Sequence, residues 1–351
     1  WEIFMLRNSS SADARRHGPG SAPAQNRRLA RFGGVASASF LAFAAASAVN
    51  AESLAQPRDN ALERAAADYV AFRDDIAAIE AVPFTSPETT REAHRRLSAH
   101  NDEALATGWV AYAALVAADA PDFKEALQKE VNNRKNRHGK LKGADAFFAK
   151  LAEDPGYPRT LPGADDAIKR VLSMTSQDMT RVITLGEAFK SQAYAMQKTS
   201  WGKQKIPSAS TRLSDAASYA RQRPAATAPA LAAVTEKGVT APSLASATSS
   251  WDPDWGAKAS AGKMTEPNAQ IVMNRVLNLA ARYAVSGVNE KTVAAYAKNN
   301  KSSQCLSMAT LTLKQCIAAT RAPYEEAFCL GEHGLNDVAT CVGWVAGVDA
   351  D

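Results

Sequence analysis

All four cysteines of this 351-residue chain lie in its last fifty residues, at Cys305, Cys316, Cys329 and Cys341. Cys305 and Cys316 are eleven positions apart, and three helical turns take about 10.8 residues. A helix over 305–320 therefore carries both thiols on one face, with Leu306, Leu313 and Ile317 as an apolar stripe beside them. Pro323 ends that helix and opens another, whose first turn holds the acids Glu325 and Glu326. Proline and acids both suit a helix N-terminus. Cys329 closes this short run, and Gly331 is placed to cap it. Gly331-Glu332-His333-Gly334 is then expected to be a loop, followed by a second short helix carrying Cys341.

This spacing restricts the disulfides. At the helical rise, Cys305 and Cys316 have their Cα atoms about 16 Å apart, whereas a bridge needs them within about 7 Å. Excluding that pair also excludes its complement, Cys329 with Cys341, and leaves two of the three pairings. An antiparallel turn at Pro323 brings Cys316 to Cys329, so the nested form is predicted: Cys316–Cys329 inside Cys305–Cys341.

The N-terminal stretch has the order of a secretory leader. Arg27, Arg28 and Arg31 precede an Ala-rich apolar run from Val35 to Val49, and Val49-Asn50-Ala51 presents residues a signal peptidase accepts. Residues 1–51 are expected to be leader, with the mature chain starting at Glu52. Of 41 basic and 36 acidic residues, six and two fall in the leader, which leaves 35 and 34. The near-neutral remainder argues against a nucleic-acid partner. Its longest apolar stretch, Gly108 to Ala118, is too short to span a bilayer. A periplasmic or secreted protein follows, and in such a compartment four cysteines mean disulfides rather than metal.

Between 52 and 223 the apolar residues recur at spacings of three and four, never two, so the fold is predicted to be all-α. Leu62, Tyr69, Phe72, Ile76 and Ile79 form one stripe, ended by Pro83. Ser86-Pro87-Glu88 starts a second helix, expected to run through Leu97, Asn101, Leu105, Trp109, Tyr112 and Leu115. Pro121 opens a third, Phe147, Phe148 and Leu151 form a small apolar knot, and a long stripe runs from Ile168 to Met196. Met174, Met179 and Met196 at these spacings are core residues, not a soft-metal site. The basic run Lys129, Arg134, Lys135, Arg137, Lys140 and Lys142 suits a solvated helix C-terminus.

From Pro224 the composition turns to Ala, Pro, Ser and Thr, so 224–265 is expected to be a linker. It carries Trp251 and Trp255, expected to pin it to a helical surface. Residues 266–351 form the second helical region, with Val272, Val276, Leu279 and Tyr283 on one face and Gly287 after it. The fixed-period signature of tetratricopeptide repeats is absent.

The chain has no nucleophile elbow, no His-Glu-x-x-His, no phosphate-cradling glycine loop and no dinucleotide fingerprint. The cysteines lack zinc-type close pairs, and neither a metal nor a cofactor is expected. One constellation can do acid–base work: Glu332 and His333, with Asn336 and Asp337, held between two cysteines. Glu187 on the long helix is a second candidate acid, for glycan cleavage. The first reads as ordinary turn chemistry, with His333 or Asn336 capping a helix, and Glu187 has no second carboxylate that must face it, as glycan cleavage requires. The expected function is that of an exported, non-catalytic envelope protein that binds a protein or envelope polymer or serves a structural role. The alternative is an envelope enzyme acting on cell-wall glycan or peptide. The two differ in what they build: perturbed titratable groups converging on a cleft, or an apolar groove.

Overall fold

Prolines, glycines and asparagine side chains set where the helices start and stop. In a computed structural model, residues 60–134, 139–223 and 267–348 are described, and among them the regular structure is helical. The leader, the 224–265 stretch with Trp251 and Trp255, and part of the basic run lie outside the described residues.

Helix α1 (Ala61–Glu80) is capped by Asn60, whose side chain accepts from the Leu62 N–H. Ser86 and Pro87 open α2 (Pro87–Leu97) as predicted. The single helix expected through Asn101 is instead two. Asn101 Oδ1 accepts the Ala104 N–H at 2.9 Å and starts α3 (Asp102–Ala118). Asparagine favours this role because its short side chain satisfies an orphan amide of the first turn. Then follow α4 (Pro121–Asn133), α5 (Gly143–Glu153), α6 (Ala164–Met196) and α7 (Ala209–Gln222). Past residue 266 come α8 (Pro267–Ser286), closed by Gly287 at φ +91°, and α9 (Glu290–Tyr296). After them come α10 (Asn300–Ala319), α11 (Pro323–Cys329) and α12 (Asp337–Gly343).

The apolar stretch Gly108–Ala118 is the middle of the fold. Helix α3 is apolar all round and is wrapped by α1, α6, α8 and α10, as an all-apolar helix must be. Gly108 lets α1 close on it: a Cβ there would stand 2.9 Å from Ala65 O and Tyr69 N. Among the described residues no single helix is long and apolar enough to cross a membrane. Side chains from both sides of 224–266 join one buried cluster, which includes Val276 and Leu279 of α8 as well as Trp109 and Tyr112 of α3. Met179 and Met196 lie in it too.

The C-terminal helices are stapled in the nested pairing, Cys305–Cys341 with Cα atoms 5.3 Å apart and Cys316–Cys329 at 5.7 Å. The expected loop at 331–334 is not a loop. Residues Leu330–Asn336 form a wide π-turn that carries α11 directly into α12. Gly331 is no cap. It sits against Gly186 of α6, and a Cβ on Gly331 would stand 2.6 Å from Gly186 O. The reverse holds as well, since a Cβ on Gly186 would stand 2.8 Å from Gly331 O. Two backbones that nearly touch leave room for glycine alone.

Three ionic clusters sit inside this helical packing. Asp178 of α6 meets Arg73 of α1 at 3.3 Å and accepts from Tyr69 Oη at 2.7 Å, while Arg73 also donates to Tyr112 Oη. Asp75 of α1 gathers Arg96 at 3.0 Å, His100 at 2.8 Å and Arg223. Glu326 of α11 pairs with His94 of α2 at 3.1 Å and with Arg212 of α7 at 3.2 Å.

Candidate functional site

Three helix segments meet around the inner disulfide and leave an open groove of about 410 Å³. The end of α6 brings Ala193 and Tyr194, with Gln197 just after it, the end of α10 brings Cys316 and Ala319, with Thr320 just after it, and α11 brings Tyr324, Glu325, Phe328 and Cys329. Local rules place each group. Pro323 fixes the first turn of α11, which puts Tyr324 and Phe328 four residues apart on one face. Glu325, at the third helical position, turns back so that its Oε2 accepts the Ala322 N–H at 3.1 Å and the Arg321 N–H. Its other oxygen, Oε1, accepts from Tyr324 Oη at 3.2 Å. That hydrogen bond to the carboxylate raises the Tyr324 pKa. Tyr194, 58% exposed, meets Phe328 edge-on, with ring centroids 6.2 Å apart and planes at 69°.

Buried hydrogen bonds tie together the wall behind the groove. Arg212 donates to the Ile317 and Thr320 carbonyls, each at 3.0 Å, and to Thr320 Oγ1 at 2.8 Å. It thus satisfies the orphan carbonyls that end α10. Its charge meets Glu326, and the Arg212 and Glu326 side chains are each 2% exposed. Burial alone would raise the Glu326 pKa, but the hydrogen bond and charge of His94, and then Arg212, reverse this and hold it low. Asp75 is likewise lowered against its burial, by His100 and then Arg223. Asp178 goes the other way: burial outweighs Arg73 and Tyr69 and raises it to about 6. These three carboxylates are all buried in the helical packing, and none lines the groove.

The acid–base candidates lie one turn further up α6. Glu187 and Glu332 both hold Lys190 Nζ, each at 2.8 Å, so the two carboxylates reach toward one ammonium. Asn336 Nδ2 donates to Glu187 Oε1 at 2.7 Å. His333 is not part of this group and pairs with Asp337 at 2.8 Å, one turn along. The sequence constellation is therefore split, and Glu187, which seemed isolated, gains a carboxylate neighbour through a lysine. Lys190 and then Asn336 lower the Glu187 pKa, and Glu187 and Glu332 raise that of Lys190. Glu187 is thereby held ionised, the opposite of what a proton donor to a glycosidic oxygen requires. Among the described residues no group of three or more His, Cys, Asp or Glu side chains is placed to hold a metal ion.

No protein-family model matches this chain, and neither a curated protein nor a solved structure is similar to it. The site therefore rests on its own geometry. Sequence spacing missed Tyr194, Tyr324, Phe328 and Arg212. For Tyr194 the sequence signals exposure only: it falls beside the stripe residue Ala193 rather than on the stripe, and a single exposed aromatic does not by itself mark a site. Arg212 left no such trace.

Proposed function

We propose that this chain is an exported, non-catalytic protein of an oxidising envelope compartment, and that it works by binding through the groove beside Cys316–Cys329. One observation carries this. The groove is walled by Tyr194, Tyr324 and Phe328 over a disulfide, while the carboxylates with displaced pKa values that are buried, Asp75, Asp178 and Glu326, lie in the packed interior. An enzyme gathers such groups at its cleft, and a binding surface presents apolar and aromatic area instead. The disulfides support the compartment, since they persist where thiols are oxidised.

The test is photocrosslinking in intact cells from a benzophenone side chain at position 194, with position 271 as an exposed control. Saturable capture from 194 alone, in material outside the cytoplasm, is expected. Equal capture from both positions, or a chain confined to the cytoplasm, refutes the assignment. The alternative, an enzyme acting on cell-wall glycan or peptide, draws on the Glu187–Lys190–Glu332 cluster against a π-turn, a feature frequent at functional sites. The lowered Glu187 pKa counts against it. Hydrolysis of cell-wall fragments that is lost in Glu187→Gln would establish it.

A further inference from the structure

We propose that the groove takes a small organic cation, a substituted or quaternary ammonium group, a step that rests on the groove being the binding surface. Its lining combines the aromatic side chains Tyr194, Tyr324 and Phe328 with one carboxylate, Glu325, and includes no Lys, Arg or His. The Tyr194 and Phe328 rings meet at 69°, so they form a corner rather than a flat stack. A cation over an aromatic face is held by the ring quadrupole when it lies within about 6 Å of the centroid, and several faces around one ammonium are the usual cage for it.

Glu325 supplies the charge. Its oxygens accept from two backbone N–H groups and the Tyr324 hydroxyl, and no cationic side chain among the described residues pairs with it. A neutral apolar ligand would cover this carboxylate and strip its water without compensation, which is costly. A positive one replaces the water with an opposite charge beside aromatic walls. The volume of about 410 Å³ is that of a small-molecule site. The groove is open and the Cys316–Cys329 bridge is part of its lining, so both α10 and α11 must stay in place for a ligand to bind.

The experiment is calorimetric or NMR titration of the oxidised full chain with choline, and in parallel with 3,3-dimethylbutan-1-ol, which has the same shape and no charge. Choline is expected to bind about tenfold more tightly than the alcohol. Glu325→Gln, which keeps a carbonyl oxygen to cap α11, should weaken choline several-fold and leave the alcohol unchanged. Tyr194→Ala, at an exposed position that does not threaten folding, should weaken choline to a similar degree. Equal binding of choline and the alcohol overturns the cation assignment while leaving a binding groove. Choline binding that neither variant alters places the cation elsewhere and overturns the site. No binding of choline at millimolar concentration, with crosslinking from position 194 retained, overturns the ligand class and not the groove.

Discussion

The buried carboxylate of Asp178 makes stability depend on pH in a direction opposite to that of most acids. Asp178 is 2% exposed, between Arg73 and Tyr69, with its pKa raised to about 6. An unfolded aspartate titrates near 3.9. The folded state therefore binds this proton more tightly than the unfolded state does. The contribution of Asp178 is fully present below about pH 4 and is lost as pH rises through about 6. Two units of displacement correspond to about 3 kcal/mol. Asp75 and Glu326, with lowered values, act with the opposite sign and gain stability above the unfolded carboxylate range. The total profile of the wild type consequently hides the contribution of Asp178. Comparison with Asp178→Asn isolates it, because Asp75 and Glu326 are common to both proteins. The substitution has its own cost, since Arg73 loses its anion, on the order of 3–5 kcal/mol for a broken buried pair. That cost is largest where Asp178 is ionised in the wild type, but the ionised carboxylate also carries its burial penalty there. Urea denaturation of both proteins between pH 4 and 7 is the assay. Relative to the variant, the wild type should lose about 3 kcal/mol across this window if burial outweighs Arg73. Parallel profiles would show that Arg73 balances burial, and a wild type that gains on the variant as pH rises would show that Arg73 outweighs it; either refutes the reasoning.

Three further outcomes follow from the packing. Gly186→Ala should destabilise by about 1–3 kcal/mol, as overpacking does, because its Cβ would press first on Asn336 Oδ1 and then on Gly331 O at 2.8 Å; an unchanged denaturation midpoint would show that α6 and the π-turn are not in close contact. Removing the inner bridge as Cys316→Ser with Cys329→Ser opens a loop of 13 residues and should cost about 3 kcal/mol; hydrogen exchange should rise in α11 and also in α6 from Phe189 to Met196, and a rise limited to residues after Ser303 would contradict the shared packing. Glu326→Gln should cost about 3–5 kcal/mol, since it leaves Arg212 and His94 buried without their anion; thermal unfolding measures it, and a loss below about 1 kcal/mol, the scale of an exposed pair, would show the cluster to be solvated.

Residue spacing alone determined much of this protein. The three-and-four periodicity of residues such as Leu62, Tyr69 and Ile76 made it helical, Pro87, Pro121 and Pro323 set where helices begin, and the helical rise between Cys305 and Cys316 left the nested bridges as one of two choices. These are local matters, governed by backbone geometry within a few turns. Other features were decided only in three dimensions. Asn101 reads as a stripe residue until the α2–α3 break makes it a cap. Gly331 reads as a stop signal until Gly186, 145 positions earlier, is found against it. Glu187 and Glu332 become neighbours through Lys190, and Tyr194 joins Phe328 across two helices to make a groove wall. Periodicity states which face of a helix is buried but not which helix covers it, because any apolar stripe of the right width can cover any other. Pairings of charge, close glycine crossings and the groove exist only once that choice has been made.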